Sequence, residues 1–420
     1  MVLAINGGTP LFELDWPMWP SSSPKIEAAV LRVLRSGRWA ISGMSTGTLS
    51  EERQFGEEFA QYIGVPYGIP VTNGSSALVV ALEAIGVGYG DEVLVPGLVW
   101  VACGSAVARV GGIPILVDVE KETFCMSVEA AEAAITERTK AILLVHLYSS
   151  VADLDAFVDL ARRRGVSLIE DCSQAHGAMW RQKRVGSFGS IAAFSFQNSK
   201  LLTAGEGGIV TTADEALYDA AQQLRSDGRR WKAHIVKCGF PDLEEIGERQ
   251  GHNHCMTEIQ AAVLRASLRT LDEANRKRIR NVETLEGHLS RIEGVRVVRR
   301  RDPRSTVPTF FHLPIQIEGE SFANVSIERI GAAVAAEIGL FLEPVDAPLD
   351  SHVLYQPIKY RRFCGERRRT LDVASYDLPN ARLLSRSCFT LPHHALLAPA
   401  GHMSSIAEAI AHVQRKASEL

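Results

Sequence analysis

Leu168-Ile169-Glu170-Asp171-Cys172 runs from an apolar stretch into two adjacent acids and then a thiol. Short apolar runs of similar length stand at Val93-Leu94-Val95, Ile113 to Val117, Ala141 to Val145 and Ala192 to Phe196, with helix-like patterns between them. Strands alternating with helices predict a largely parallel sheet covered by helices. Ligands of such sheets bind beyond the carboxyl ends of the strands, so one of the two acids ending the 168–172 run is expected to face a site. The alternative is that the acid caps the following helix.

On the N-terminal side, Trp16-Pro17, Trp19-Pro20 and Ser21-Ser22-Ser23-Pro24 make residues 1–24 read as an irregular arm, of the sort that lies on a partner subunit. A helix is expected from Lys25 to Ser36, stopping at Gly37. On the C-terminal side a long helical stretch from Thr257 to Leu289 precedes a second β/α region. That region contains Arg296-Val297-Val298, Phe310 to Ile317 and a final helix near Ile406 to Ala417. The expected organisation is an arm at 1–24, a large α/β domain at 25–266 and a smaller C-terminal α/β domain at 267–420.

A chain of 420 residues has ample length for such cores, and its formal charge of −4 gives no drive toward nucleic acid or anionic membranes. The seven cysteines include no Cys-x-x-Cys pair and read as neither a disulfide framework nor a zinc site. Met1 to Thr9 shows no basic segment leading into an apolar one, and a cytoplasmic protein is expected. The basic runs Arg299-Arg300-Arg301 and Arg367-Arg368-Arg369 read as solvated surface.

Thr72-Asn73-Gly74-Ser75-Ser76-Ala77 directly precedes the apolar helical run Leu78 to Ile85. Free amides and the positive end of the helix dipole would make this an anion site suited to phosphate; alternatively Asn73 and Ser75 cap the helix. The acid that faces the site, Glu170 or Asp171, could pair with a protonated ring nitrogen of a cofactor. Phe194-Ser195-Phe196-Gln197-Asn198-Ser199-Lys200 reads as a strand entering a polar loop, followed by the Gly-rich Thr203-Ala204-Gly205-Glu206-Gly207-Gly208. A deprotonated lysine there could form a Schiff base with an aldehyde, where an ordinary surface lysine stays a solvated ammonium. Trp100 could stack on a planar cofactor or serve as core. His252, His254 and Cys255 lack a second ligand cluster, and His393-His394 suits a substrate contact or a satisfied hydrogen bond better than a metal.

Five separated segments carry a resemblance: Asn73 to Ser76, Gly90 to Pro96, Glu170 to Ala178, Phe194 to Lys200 and Gly251 to Ile259. In order and spacing, including the 29-residue step from Asp171 to Lys200, the chain resembles the DegT/StrS-type pyridoxal-phosphate aminotransferases over nearly its whole length. The resemblance implies a fold-type-I enzyme, with a large mixed, mostly parallel sheet domain, a small C-terminal α/β domain, and a homodimer with sites at the subunit interface. It implies pyridoxal 5′-phosphate as cofactor, Lys200 as its covalent anchor and proton carrier, and Asp171 as the partner of the pyridine nitrogen. Trp100 would stack on the ring, Gln174 would lie at its other side and His176 would support Asp171. Gly74, Ser75, Ser76 and Ser195 would bind the phosphate, together with Asn253 of the neighbouring subunit.

Gly37 to Gly43, His146 to Asp155, Leu201 to Gly208 and the C-terminal Leu349 to Tyr355 and Asp377 to Leu397 are most similar to the aminocyclitol branch of that family. The branch uses L-glutamine to aminate scyllo-inosose or 2-deoxy-scyllo-inosose in aminoglycoside biosynthesis, which implies a ketocyclitol acceptor. Tyr148, Ser42 and His394 are candidates to read its hydroxyls. Gly251 to Met256, Phe196 and Pro392 depart from the branch. The competing readings are a nucleotide-ketosugar aminotransferase, a cofactor-dependent dehydratase such as an aminohydroxybenzoate synthase, and a non-catalytic regulator that keeps the fold.

Overall fold

A computed structural model describes residues 2–359 and 376–420; the Arg367-Arg368-Arg369 run lies outside the described residues. Seven strands form the main sheet: β1 Tyr67–Val71, β2 Glu92–Pro96, β3 Ile113–Val117, β4 Thr139–Val145, β5 Ser167–Asp171, β6 Ile191–Ser195 and β7 Gly208–Thr212. Their spatial order is β1-β7-β6-β5-β4-β2-β3. The five strands from β6 to β3 pair in parallel, and β7 and β1 close that edge antiparallel. The mixed, mostly parallel sheet is therefore as the apolar runs led one to expect.

Both faces are covered, which is why these strands read as continuous apolar runs. Leu143 and Ile169 pack into one core cluster, whereas Ile142, Leu144 and Leu168 pack into the cluster on the opposite face, the period-two alternation of a strand. Between β1 and β2 the helix Gly74–Ala84 is buried almost all round, in keeping with its Leu-Val-Val-Ala-Leu composition. Ser23 caps the helix Pro24–Ser36, and Gly37 ends it at φ 70°, close to the expected limits.

The small sheet is antiparallel, with β8 Val295–Val297, β9 His312–Ile317, β10 Glu343–Pro344 and β11 Cys388–Pro392 in the order β8-β9-β11-β10. Helices Ile327–Ile338 and Gly401–Arg415 bury Ile330, Val334, Ile406 and Ile410 in its core. Linking the two sheets is the 32-residue helix Glu258–Leu289, opened by a capping box between Thr257 and Gln260. Ala261, Leu264 and Leu271 pack with the large sheet, and Val282, Leu285 and Leu289 with the small one. Residues 266 and 267 lie within this helix.

The arm contains a short 3-10 turn at Ala4–Asn6 and lies on its own chain. Leu3, Phe12, Leu14 and Trp16 join the small-sheet core, and the Glu337 carboxylate accepts the amides of Ala4 and Leu11 at 2.8 and 2.9 Å. The Arg299-Arg300-Arg301 run is not simply solvated: Arg299 and Arg301 pair with Glu286 and Arg300 with Glu120, and the first and third of the run differ sharply, with side-chain exposures of 18% and 60%. Among the described residues no helix is long and apolar enough to cross a membrane.

Candidate active site

The two acids ending β5 point to opposite faces and do different work. Glu170 is fully buried and accepts the amides of Gly186, Phe188 and Gly189 at 2.8, 2.7 and 2.7 Å. His146 Nδ1 accepts the Ala152 amide at 3.1 Å, which leaves the proton on Nε2, 3.3 Å from Glu170. Burial raises the Glu170 pKa, but the hydrogen bond from His146 and those from the amides outweigh it and hold the carboxyl low. His146, Glu170 and Cys172 lie close enough to hold a metal ion, but the histidine nitrogens are already engaged with Ala152 and Glu170. Asp171 instead faces a cavity of about 690 Å³. Its Oδ1 accepts the Ser173 amide at 2.9 Å and its Oδ2 accepts the Cys103 thiol at 3.2 Å.

Lys200 enters the same cavity from the loop after β6, with its Nζ 4.0 Å from the centre of the Phe311 ring. Burial pulls its pKa down to about 8, against the opposing pull of Asp171, Cys103, Asp346 and Glu343. Burial thus enlarges the neutral, nucleophilic fraction of the amine near physiological pH.

Asn73 caps the helix Gly74–Ala84 by accepting the Ser76 amide at 2.8 Å. Capping and anion binding are compatible here, because Gly74, Ser75 and Ser76 line the cavity with Ser195. A Cβ on Gly74 would lie 2.5 Å from the Ser195 Cβ, so only glycine allows the helix start to approach the end of β6. The Ser76 hydroxyl receives the Thr72 hydroxyl at 3.0 Å and sits 3.2 Å from His254 Nδ1.

Trp100 also lines the cavity; it is 49% exposed, which excludes the core reading. Gln174 lines it too and accepts the Tyr148 amide at 2.7 Å, holding Tyr148 at a left-handed φ of 57°. The Tyr148 hydroxyl is 3.5 Å from Asp346 Oδ2. The described lining does not include Ser42, Asn253 or His394: the first two are exposed and the third is half-buried. His176 packs against Phe194 and Phe196, with neither ring nitrogen hydrogen-bonded, instead of bonding to Asp171. Sequence reading missed Cys103, Phe311, Glu343 and Asp346; the last three come from the small sheet and its neighbouring loops, over a hundred residues from Lys200, and no spacing rule links them to it.

The donor set suits pyridoxal 5′-phosphate. A helix N-terminus with two serines and a glycine that a Cβ would block can hold the phosphate, a carboxylate stands ready for a protonated ring nitrogen, and an amine of lowered pKa can meet the aldehyde.

Comparison with known proteins agrees with this geometry. Residues 20–411 match the model of the DegT/DnrJ/EryC1/StrS aminotransferase family. The chain is 44% identical over 420 residues to the L-glutamine:2-deoxy-scyllo-inosose aminotransferase of Streptoalloteichus tenebrarius, covering 100% of this chain and 99% of the relative. It is 42% identical over 409 residues to the L-glutamine:scyllo-inosose aminotransferase of Streptomyces griseus, covering 97% and 96%. Among solved structures, 3-amino-5-hydroxybenzoic acid synthase superposes with a TM-score of 0.81 at 32% identity, over 96% of this chain and 99% of that one.

Proposed function

We propose, from the premise that the chain belongs to the DegT/DnrJ/EryC1/StrS aminotransferase family, that it moves the amino group of L-glutamine to a ketocyclitol of the scyllo-inosose or 2-deoxy-scyllo-inosose type. It is an aminotransferase whose cofactor is pyridoxal 5′-phosphate. When bound, that cofactor supplies the electron sink that lets an α-amino group leave one carbon skeleton for another. The observation that carries the reading is one cavity in which the Lys200 amine, lowered to about 8, shares space with Asp171 and with the helix start at Gly74.

In this reading Lys200 holds the cofactor and afterwards carries the proton between substrate and cofactor carbons. Asp171, oriented by the Ser173 amide and the Cys103 thiol, keeps the ring nitrogen protonated. Gly74, Ser75, Ser76 and Ser195 hold the phosphate, Trp100 covers one ring face and Gln174 borders the other side. Tyr148, with Glu343 and Asp346 beside it, offers acceptors to ring hydroxyls of a neutral polyol. Asn253 is exposed and outside the cavity lining of its own chain, so in a homodimer it is available to reach the phosphate site of a second copy; Ser42 and His394 also lie outside that lining. Work in a reducing cytoplasm suits the exposed thiol of Cys238.

The test follows the visible absorption of the protein loaded with pyridoxal phosphate. L-glutamine should bleach the band and 2-deoxy-scyllo-inosose should restore it. Restoration by a nucleotide-linked ketosugar alone would replace the acceptor, and a band indifferent to every amino donor would favour the regulator reading.

A further inference from the structure

Arg278 is wholly buried on the long helix Glu258–Leu289, yet no acid stands within ion-pair distance among the described residues. Burying an unpaired guanidinium is costly, so its contacts point to the use that justifies it. Nη1 donates to Asn275 Oδ1 at 2.9 Å and Nη2 to His393 Nδ1 at 3.0 Å. Arginine can only donate, so His393 Nδ1 must accept and its proton must sit on Nε2. That Nε2 lies 2.9 Å from the carbonyl oxygen of Ser199, the residue before Lys200. On the neighbouring peptide, Trp19 from the arm donates its indole N–H to the carbonyl of Asn198 at 3.1 Å and packs edge-on against His393, 4.7 Å between ring centres.

Asn275 completes the arrangement. Its oxygen faces Arg278, so its amide nitrogen is free to donate to the carbonyl of His176 at 2.9 Å, in the loop that follows Asp171. The backbone amide of His393 also donates to the Phe311 carbonyl at 3.1 Å, and Phe311 is the ring over which the Lys200 amine sits.

We propose that Arg278, His393 and Trp19 are positioning residues that fix the carbonyls of Asn198 and Ser199, and hence the backbone from which Lys200 projects, while Asn275 ties the same arginine to the Asp171 loop. The proposal rests on Lys200 being the cofactor-binding lysine. Lys200 sits on the loop after β6 and Asp171 at the very end of β5, and the two must keep a fixed separation while the lysine changes its bonding. A long flexible side chain keeps that separation only if its own backbone is held. The polar loop binds itself on one side, where the Lys200 amide donates to Gln197 O at 2.8 Å and the Ser199 amide to Gln197 Oε1 at 2.8 Å. The relay holds it from the other, through three segments distant in sequence.

The experiment measures how fast Lys200 in the protein freed of cofactor captures pyridoxal, trapped by borohydride and read as the labelled peptide by mass spectrometry. The pH titration of the visible band in the loaded protein is recorded in parallel. His393→Phe keeps a ring but neither nitrogen, and should slow capture about tenfold or more and shift the titration, in line with the cost of an ångström-scale misplacement. His393→Gln returns an N–H to the Ser199 carbonyl and should recover to within about threefold of native. Trp19→Phe removes the indole N–H together with part of the ring that packs on His393, at a partly exposed position; it should slow capture measurably and decides the matter if His393→Phe fails to fold. Native capture and titration in Trp19→Phe and His393→Phe would overturn the proposal, as would a glutamine variant no better than phenylalanine. Labelling of the native protein elsewhere than Lys200 would bring down the reading of the site and the relay with it; native labelling with indifferent variants would bring down the relay alone.

Discussion

Gly74→Ala tests the phosphate cradle with the smallest possible change. The added Cβ would stand 2.5 Å from the Ser195 Cβ, 2.9 Å from its Oγ and 3.2 Å from its Cα. Carbon atoms in contact rest at about 3.5–4.0 Å, so helix and strand must part by about 1 Å. The nearest obstructing atom, the Ser195 Cβ, is attached to the strand backbone itself, and no side-chain rotation removes it. Overpacking of this kind costs about 1–3 kcal/mol. If that whole cost fell on the bound form, affinity for pyridoxal phosphate would drop about 5- to 150-fold, at 1.4 kcal/mol per tenfold. The assay is a titration of the cofactor-free variant followed by the visible band, with urea unfolding of the same sample. Gly88→Ala is the control, since nothing lies within 4 Å of the added atom, and should change stability by less than about 0.5 kcal/mol. Adding Ser195→Gly to Gly74→Ala leaves only the Cα approach and should return much of the stability, but not the affinity, because the hydroxyl is gone. A Gly74→Ala protein with native affinity and native stability would refute the reasoning.

Lys200→Ala should abolish transamination while the protein still unfolds at its native urea midpoint; residual turnover above a background set by free cofactor would remove Lys200 from its role. Capture of pyridoxal by the cofactor-free protein should rise with pH to a midpoint near 8, because only the neutral amine attacks and burial lowers the Lys200 pKa to about 8. Glu343→Gln removes a negative charge that favours the ammonium, so this midpoint should fall; a rise would contradict the assigned electrostatics. Glu170→Ala strands the three amides of Gly186, Phe188 and Gly189 in a buried turn and should cost about 3 kcal/mol or more in urea unfolding, at roughly 1 or more per lost partner. If Asn253 completes the partner's site, mixing inactive Lys200→Ala and Asn253→Ala subunits should restore activity in the mixed dimers, and no restoration after subunit exchange would count against shared sites.

Strands were legible because burial on both faces leaves an unbroken apolar run, and helix ends because Ser23, Asn73 and Gly37 carry their own signals. Alternation along β5 says that Glu170 and Asp171 face opposite ways, but only packing decides which one meets the cavity. Lys200 and the Gly74 turn could be found as local motifs. Phe311, Glu343 and Asp346 could not, because docking of the small sheet brings them there. For Arg300, with 11% side-chain exposure, a basic run suggested solvent whereas Glu120 on the large region draws it inward. Likewise, the aromatic-rich arm reads as irregular until Leu3, Phe12 and Trp16 are seen against the small-sheet core.

The helix Glu258–Leu289 has a consequence for how the molecule comes apart. At 1.5 Å per residue its 32 residues make a rod of roughly 48 Å that both sheets share. Its first half packs against the helix Glu51–Ile63, which carries Phe55 and Phe59 of one core, and its last turns pack against β8 and the helix Gly401–Arg415 of the other. Neither core can melt without stripping cover from a helix the other still needs. Heat should therefore dismantle the chain in one cooperative step, and a cut through the middle of the rod would leave two fragments, each with an apolar stripe exposed to water.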